Sequence, residues 1–166
     1  MCMYPRYERS TLDYDITLLK LKTPLRRFNE YMRPICLPQN NTVLRVGQSC
    51  HVTGFGRTKE YGQLSSHLRE ARVPVISSNK CTKLYAGTFR KVTSRMFCAA
   101  HAKGGIDSCK GDSGGPFVCR DIVKPGRWTL MGVVSWGVGC ARGDSPGVYA
   151  KVSYFVDWIN NTMKTA

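Results

Sequence analysis

The sequence predicts an all-β domain: an antiparallel barrel of about six short strands, finished by a C-terminal α-helix. Three observations carry this. Strand-like runs lie near Ser49–Gly56, His67–Ser77, Met96–His101, Gly115–Val123, Arg127–Gly137 and Gly147–Ser153, separated by Gly, Pro, Ser or Asn. Short strands at regular spacing with turn signals between them indicate an antiparallel barrel. The best helical periodicity comes at the end of the chain, and a length of 166 residues suits one domain, which buries roughly 70% of its unfolded surface.

Taken in order, residues 1–12 are polar and irregular, whereas Asp13–Leu21 reads as a strand, with branched and apolar residues after an acidic start. From Lys22 to Val46 the chain has little periodicity and several prolines, a linker signature. Asn40 and Asn160 each head an N-x-T sequon and are candidate glycosylation sites if the chain is secreted. A short helix is expected from near Ser78 and includes Cys81. The terminal helix covers Tyr154–Met163, with Phe155, Val156, Ile159 and Met163 recurring on one face and Ser153 as N-cap. That face is expected to pack on the barrel's own core.

Composition narrows the partners. Lys and Arg number 25 against 11 Asp and Glu, a net charge of +14, and the basic residues are scattered. Such a surface attracts polyanions such as sulfated glycans in a salt-sensitive way. No C2H2 spacing, aromatic RNA-binding run or basic zipper accompanies the charge, so nucleic acid is not expected. Eight cysteines point to an oxidising compartment and a disulfide framework, hence a secreted or extracellular protein. Met1 begins a segment with no apolar leader core, and no stretch offers 18 apolar residues in a row. A leader is therefore expected upstream, or the chain starts late, and no membrane span is expected within it.

The chemistry concentrates in Asp107-Ser-Cys-Lys-Gly-Asp-Ser-Gly-Gly-Pro116. Glycines at 111, 114 and 115 strip side-chain cover from around the Ser113 hydroxyl and tolerate the dihedrals of a tight turn. A serine placed so can attack a carbonyl while the N–H groups of Gly111 and Ser113 face the oxygen that becomes negative. This stretch resembles the nucleophile loop of trypsin-like, chymotrypsin-fold serine endopeptidases. The resemblance implies a six-stranded Greek-key barrel, the second of that fold, over residues 47–152. Residues 1–46 would be a remnant of the first barrel plus the interdomain linker, and 153–166 the C-terminal helix.

Residue by residue, the resemblance makes Ser113 the nucleophile and Asp15, in Asp-Ile-Thr-Leu-Leu-Lys-Leu, the aspartate that orients the catalytic histidine. Asp107 matches the base of a specificity pocket for Arg or Lys. Gly137 and Gly147 match its walls, and Ser108, Ser135, Trp136 and Gly139 match further substrate contacts. Lys110 is placed at the rim, where it would favour acidic residues near the scissile bond. Asp112 matches the partner of the amine released on activation. Eight cysteines allow about a hundred full pairings; the family pattern selects Cys50–Cys119, Cys81–Cys98 and Cys109–Cys140. Cys36 resembles the position that two-chain members bond to a light chain or propeptide. Cys2 has no family counterpart, which leaves a Cys2–Cys36 bond as an alternative to an intermolecular one. Cys98 and His101 could form half a zinc site, but no second pair accompanies them. Pro146 resembles the form of the site without bound sodium, so neither metal nor cofactor is expected.

The family order is His, Asp, Ser, yet no histidine precedes Asp15; His51, His67 and His101 all follow it and read as surface or packing residues. The I-V-G-G activation start is also missing. The expected function is that of a serine endopeptidase cleaving after Arg or Lys through an acyl-enzyme, present here as a C-terminal fragment nearly inactive by itself. The alternative is a non-catalytic module that binds a polyanion or protein through its basic surface or vacant cleft.

Overall fold

The computed structural model describes residues 1–121, 124 and 126–165. Two short strands, β1 (Cys2–Met3) and β2 (Thr17–Leu18), pair antiparallel with Cys2 opposite Leu18. The main sheet contains β3 (Ser49–Gly54), β4 (Arg69–Pro74), β5 (Met96–Ala99), β6 (Pro116–Arg120), β7 (Trp128–Trp136) and β8 (Gly147–Lys151). Its order is β4-β3-β6-β7-β8-β5, antiparallel throughout. The edge strands then meet: Val75 bridges Ala99, Ile76 N–H donates to Cys98 O (3.0 Å) and Ala100 N–H to Pro74 O (3.0 Å). The sheet curls until its edges join, which removes the exposed edges that an open sheet would carry.

Alternation explains the core. In β7 the burial pattern of Trp128–Trp136 sends Met131, Val134 and Trp136 inward. Phe97, Phe117 and Tyr149 meet at ring-centroid separations of 4.6–5.3 Å in the barrel centre. Gly132 leaves room for them, since a Cβ there would lie 2.6 Å from Phe97 Cζ.

The six barrel strands lie inside the runs expected from sequence; the last two residues of the expected Gly115–Val123 strand, 122 and 123, lie outside the described residues. The first helix, α1 (Ser78–Leu84), starts where Ser77 caps it by accepting Lys80 N–H on Oγ (3.2 Å).

Several expectations need correction. The Asp13–Leu21 strand shrinks to Thr17–Leu18, because Leu12 and Tyr14 both have φ of +55°, a left-handed geometry that interrupts an extended run. Residues 1–12 are not wholly irregular, since they supply β1. The terminal helix α2 begins at Val152 and runs to Thr165, so Ser153 lies inside it rather than capping it. Its Oγ donates to Thr42 O (2.9 Å) and ties the linker down. Met163 is 58% exposed, because α2 buries Val152, Phe155, Val156 and Ile159 but its last turn buries nothing. Each of those larger apolar side chains contributes about 1.5–3 kcal/mol on burial.

Candidate active site

Ser113 sits in the turn that feeds β6. Asp112 N–H donates to Cys109 O (3.0 Å), Gly115 N–H to Asp112 O (2.8 Å) and Gly114 N–H to Val134 O (2.9 Å). Gly111 (φ +98°) and Gly114 (φ +80°) adopt backbone that L side chains resist, and a Cβ on Gly111 would lie 2.7 Å from Leu64 Cδ2. The donors left over are the N–H groups of Gly111 and Ser113, neither of which donates to any atom among the described residues. Ser113 itself is exposed. Among the described residues, the Ser113 hydroxyl and these two N–H groups are therefore uncommitted.

Asp112 turns its carboxylate away from that turn. Oδ1 accepts Gly56 N–H (2.8 Å) and Oδ2 accepts Cys109 N–H (2.9 Å). Glycine at 54 and 56 admits the carboxylate, since a Cβ at either would fall 2.0 and 2.4 Å from its atoms. Behind it opens a cavity of about 570 Å³ bordered by Gly56, Glu60, Asp107, Ser108, Asp112 and Cys140. Asp107 and Ser108 line this cavity, and Ser113 does not.

Asp15 is positioned by its neighbours. Tyr14 and Ile16, on either side, are buried in one cluster with Ala150, Val152, Phe155 and Ile159. Two residues earlier, the buried Asp13 accepts Tyr14 N–H (2.9 Å), Thr93 Oγ1 (2.9 Å) and Arg95 Nε (3.1 Å), and pairs through Oδ2 with Arg95 Nη2. Burial opposes ionisation of Asp13, but these hydrogen bonds outweigh it and hold the carboxyl below its ordinary value. Thus pinned, the segment brings Asp15 Oδ2 to 2.6 Å from Ser135 Oγ, which donates to it across 120 residues of sequence. Ser135 follows Val134, whose N–H donates to Gly115 O (2.9 Å), so the Asp15 contact and the Ser113 turn share one end of β7.

Asp107 lies six residues before Ser113 at the foot of β8. Its Oδ1 accepts Ser108 N–H (2.7 Å) and the Tyr149 hydroxyl (3.3 Å), while Ser108 Oγ lies 3.2 Å from Tyr149 Oη. Burial pushes the Asp107 carboxyl up to about 6, against hydrogen bonds from Ser108 N–H, Tyr149 and Ala141 N–H that favour its charged form. A Cβ on Gly147 would stand 2.8 Å from Asp107 Oδ1, and one on Gly137 would lie 4.0 Å from Gly147 Cα. Because β7 and β8 pair with Trp136 opposite Val148, the two glycines lie side by side on neighbouring strands, and Gly147 is the one that borders the carboxylate.

Tyr149 and Ala141 were not among the residues singled out from the sequence. Buried tyrosine hydroxyls need partners, which was the available signal for Tyr149; Ala141, with φ of +58°, gave none. The structure adds a clamp as well: Glu60 binds Arg142 through Nη2 (2.6 Å) and Nε (2.9 Å) and lies 3.4 Å from Cys140 N. Gly139 (φ +71°) lies under it, where a Cβ would be 2.3 Å from Arg142 Nε.

The remaining candidates divide. Lys110 is exposed, and its carbonyl accepts Arg57 N–H (2.9 Å). Trp136 is 8% exposed and packs edge-on against Tyr85 at 4.8 Å, leaving little of its ring for a substrate. Each histidine is engaged away from Asp15: His51 with Glu70 (2.6 Å), His67 with Ser66 (3.0 Å) and His101 with Arg72 O (2.6 Å). Asn40 and Asn160 are exposed, although Asn40 Nδ2 donates to Asp157 (2.6 Å) and Asn160 lies within α2.

The cysteines form Cys50–Cys119, Cys81–Cys98 and Cys109–Cys140, the pairs expected. The last staples the Asp107–Ser113 segment to the Gly139–Ala141 wall. Its partnership with Cys81 removes Cys98 as a zinc ligand. Cys2 and Cys36 are both free, so no Cys2–Cys36 bond is formed. No helix among the described residues is long and apolar enough to cross a membrane.

The family model described as Trypsin matches residues 1–159. A relative from Rattus norvegicus, Transmembrane protease serine 9, is 43% identical over 161 residues, 97% of this chain. The chain spans 14% of that relative's length. The turn carrying Ser113, the Asp15–Ser135 contact and the Asp107 carboxylate against Gly147 thus occur in a sequence that belongs to the trypsin family of serine proteases.

Proposed function

We propose that this chain carries the nucleophile and specificity site of a serine endopeptidase that cleaves after Arg or Lys. The observation that carries the reading is Asp107: a half-buried carboxylate against Gly147, on the same short segment as Ser113. A long cationic side chain passing along the side-chain-free surface that the glycines leave meets a charge with preset hydrogen bonds, and its carbonyl is delivered towards Ser113. Ser113 Oγ attacks that carbonyl and passes its proton to a base. The N–H groups of Gly111 and Ser113 receive the oxyanion, and the amine leaves with a proton to give an acyl-enzyme that water then hydrolyses. Asp15, oriented by Ser135, would hold the base in its tautomer.

The three histidines are engaged elsewhere; on this reading the base would be supplied by another polypeptide segment. The same reading assigns Asp112 to an activation amine entering the cavity behind it. Extracellular location, an interchain bond at Cys36, glycosylation at Asn40 and Asn160, and the domain boundaries near residues 46 and 152 complete the proposal.

A fluorophosphonate probe tests the central claim. Losing the histidine of a comparable triad lowers turnover by about 10⁶. The 166-residue chain should therefore label only in trace, and a polypeptide extended to include the base should label at Ser113, with Ser113→Ala silent. The engaged histidines favour one second reading, a binding module that keeps the slot without chemistry. Undiminished benzamidine binding by an extended polypeptide that never labels would establish that module.

A further inference from the structure

Among the described residues, three buried side-chain nitrogens lack a hydrogen-bond partner, and two of them, Arg90 Nε and Trp136 Nε1, belong to side chains that lie one over the other. The Arg90 guanidinium stands 5.8 Å from the centroid of the Trp136 ring and 5.1 Å from that of Phe89, which is 82% exposed. A buried donor without an acceptor costs free energy, and a cation on an aromatic face keeps its full charge. No carboxylate offsets that charge: Arg90 makes no ion pair among the described residues.

The segment that presents Arg90 is anchored to the barrel. The Tyr85 hydroxyl donates to Pro146 O (2.5 Å), Thr88 N–H donates to Tyr85 O (3.1 Å), and the Thr88 hydroxyl lies 2.9 Å from both Tyr85 O and Arg90 O. Its place is beside the candidate site. Trp136 follows Ser135, whose hydroxyl holds Asp15, and precedes Gly137. Leu12, three residues before Asp15, packs against the cluster that contains Trp136 and Tyr85. Since little of the Trp136 ring is exposed, a substrate lying along this end of β7 meets Arg90 rather than a bare indole.

We propose that Arg90 is a specificity-determining residue that pairs with a carboxylate in the substrate segment preceding the cleaved Arg or Lys, so that acidic-then-basic sequences are selected. The proposal rests on the reading of Asp107 as the slot for that basic side chain. With the cation in the slot and its carbonyl at Ser113, the chain beyond the cleaved bond runs past Ser113 and Gly111. The chain before the bond is the part left to cross Trp136. An acidic side chain there supplies the acceptor that Arg90 lacks and offsets its charge; glutamine supplies an acceptor alone, and an apolar side chain neither.

The test is isothermal titration calorimetry of the 166-residue chain with acetylated tripeptides ending in 4-amidinobenzylamide, a benzamidine that fills the slot and needs no base. Glutamate or glutamine occupies each of the three positions in turn, with glycine at the others. At one position or more, the glutamate ligand should bind wild type about fivefold tighter than its glutamine partner. Arg90→Gln should remove the difference and Arg90→Glu reverse it, with benzamidine itself binding wild type and both variants equally. Arg120→Gln, which removes the same charge from the far end of β6, should keep the difference. A glutamate preference that survives Arg90→Gln overturns the proposal, and so does an equal loss in Arg120→Gln, which marks diffuse attraction. Benzamidine binding with no glutamate preference sinks the proposal and leaves the slot standing; failure of benzamidine to bind wild type sinks the slot reading, and this proposal with it.

Discussion

Binding of benzamidine, a small aromatic cation, isolates the Asp107 slot from catalysis because it needs neither base nor nucleophile. Truncating one partner of a largely desolvated charge pair costs about 3–5 kcal/mol; Asp107 is only partly enclosed, so about 2–4 kcal/mol applies. Asp107→Ser should therefore weaken binding by roughly 30- to 1000-fold in isothermal titration calorimetry. The pH dependence has a definite sign. Burial raises the folded Asp107 carboxyl to about 6, and only the ionised form attracts the cation, so affinity is full above that value. As pH falls through about 6 affinity is lost, approaching a tenfold fall per unit well below it. Stability runs the other way. A carboxyl whose folded value exceeds the unfolded one destabilises the fold as it ionises, so Asp107 costs most at neutral pH, at most about 3 kcal/mol for a displacement of roughly two units. Asp107→Asn should accordingly melt at or above the wild-type temperature at pH 7 while losing the cation. Affinity unchanged by Asp107→Ser, or flat between pH 8 and pH 5, would refute the reasoning.

Gly147→Ala places a Cβ 2.8 Å from Asp107 Oδ1, and should reduce benzamidine affinity at least about tenfold with the melting temperature little changed; unchanged calorimetric affinity counts against a slot that Gly147 borders. Asp13→Asn breaks the pair with Arg95 and should cost about 2 kcal/mol or more in urea unfolding at pH 7. Because the Asp13 carboxyl is held below its ordinary value, that deficit should be present above about pH 4 and vanish as pH falls further, where wild type loses the same contribution. Gly54→Ala would displace the Asp112 carboxylate and forfeit its hydrogen bonds to Gly56 and Cys109, an expected loss of about 2–4 kcal/mol read from the same denaturation curves.

Where a feature depends on local sequence, the chain disclosed it. The barrel strands are bounded by turn residues and lie within the expected runs, and Ser77 caps α1 as a serine ahead of a helix does. Features set by distant partners stayed hidden. The Asp13–Leu21 run has a strand's composition, but left-handed φ at Leu12 and Tyr14 bends it, and Asp13 is claimed by Thr93 and Arg95, some 80 residues on. Periodicity assigned Met163 to a buried face, yet the helix outlasts the surface it packs on. Scattered basic residues gave no hint of a shared location, because Arg45, Arg120 and Arg127 meet only once β6, β7 and the linker are folded together.

The two parts of the candidate site are held by separate devices. Asp107 and Ser113 belong to one segment, pinned by the Cys109–Cys140 bond, by the Asp112 carboxylate on Gly56 and Cys109, and by the pairing of Gly114 and Gly115 with Val134. Asp15 shares none of these anchors; it depends on Tyr14 and Ile16 beneath α2 and on the Asp13–Arg95 pair. Among the described residues, the Ser135 hydroxyl, at the end of β7, joins the two by a hydrogen bond. Loosening the Asp13 anchor should therefore leave cation binding at Asp107 intact while freeing Asp15, whereas displacing Asp112 disturbs nucleophile and slot together. This asymmetry follows from chain connectivity: residues six apart in one stapled turn move as a unit, and an aspartate 98 positions earlier can join them only through packing that the rest of the fold supplies.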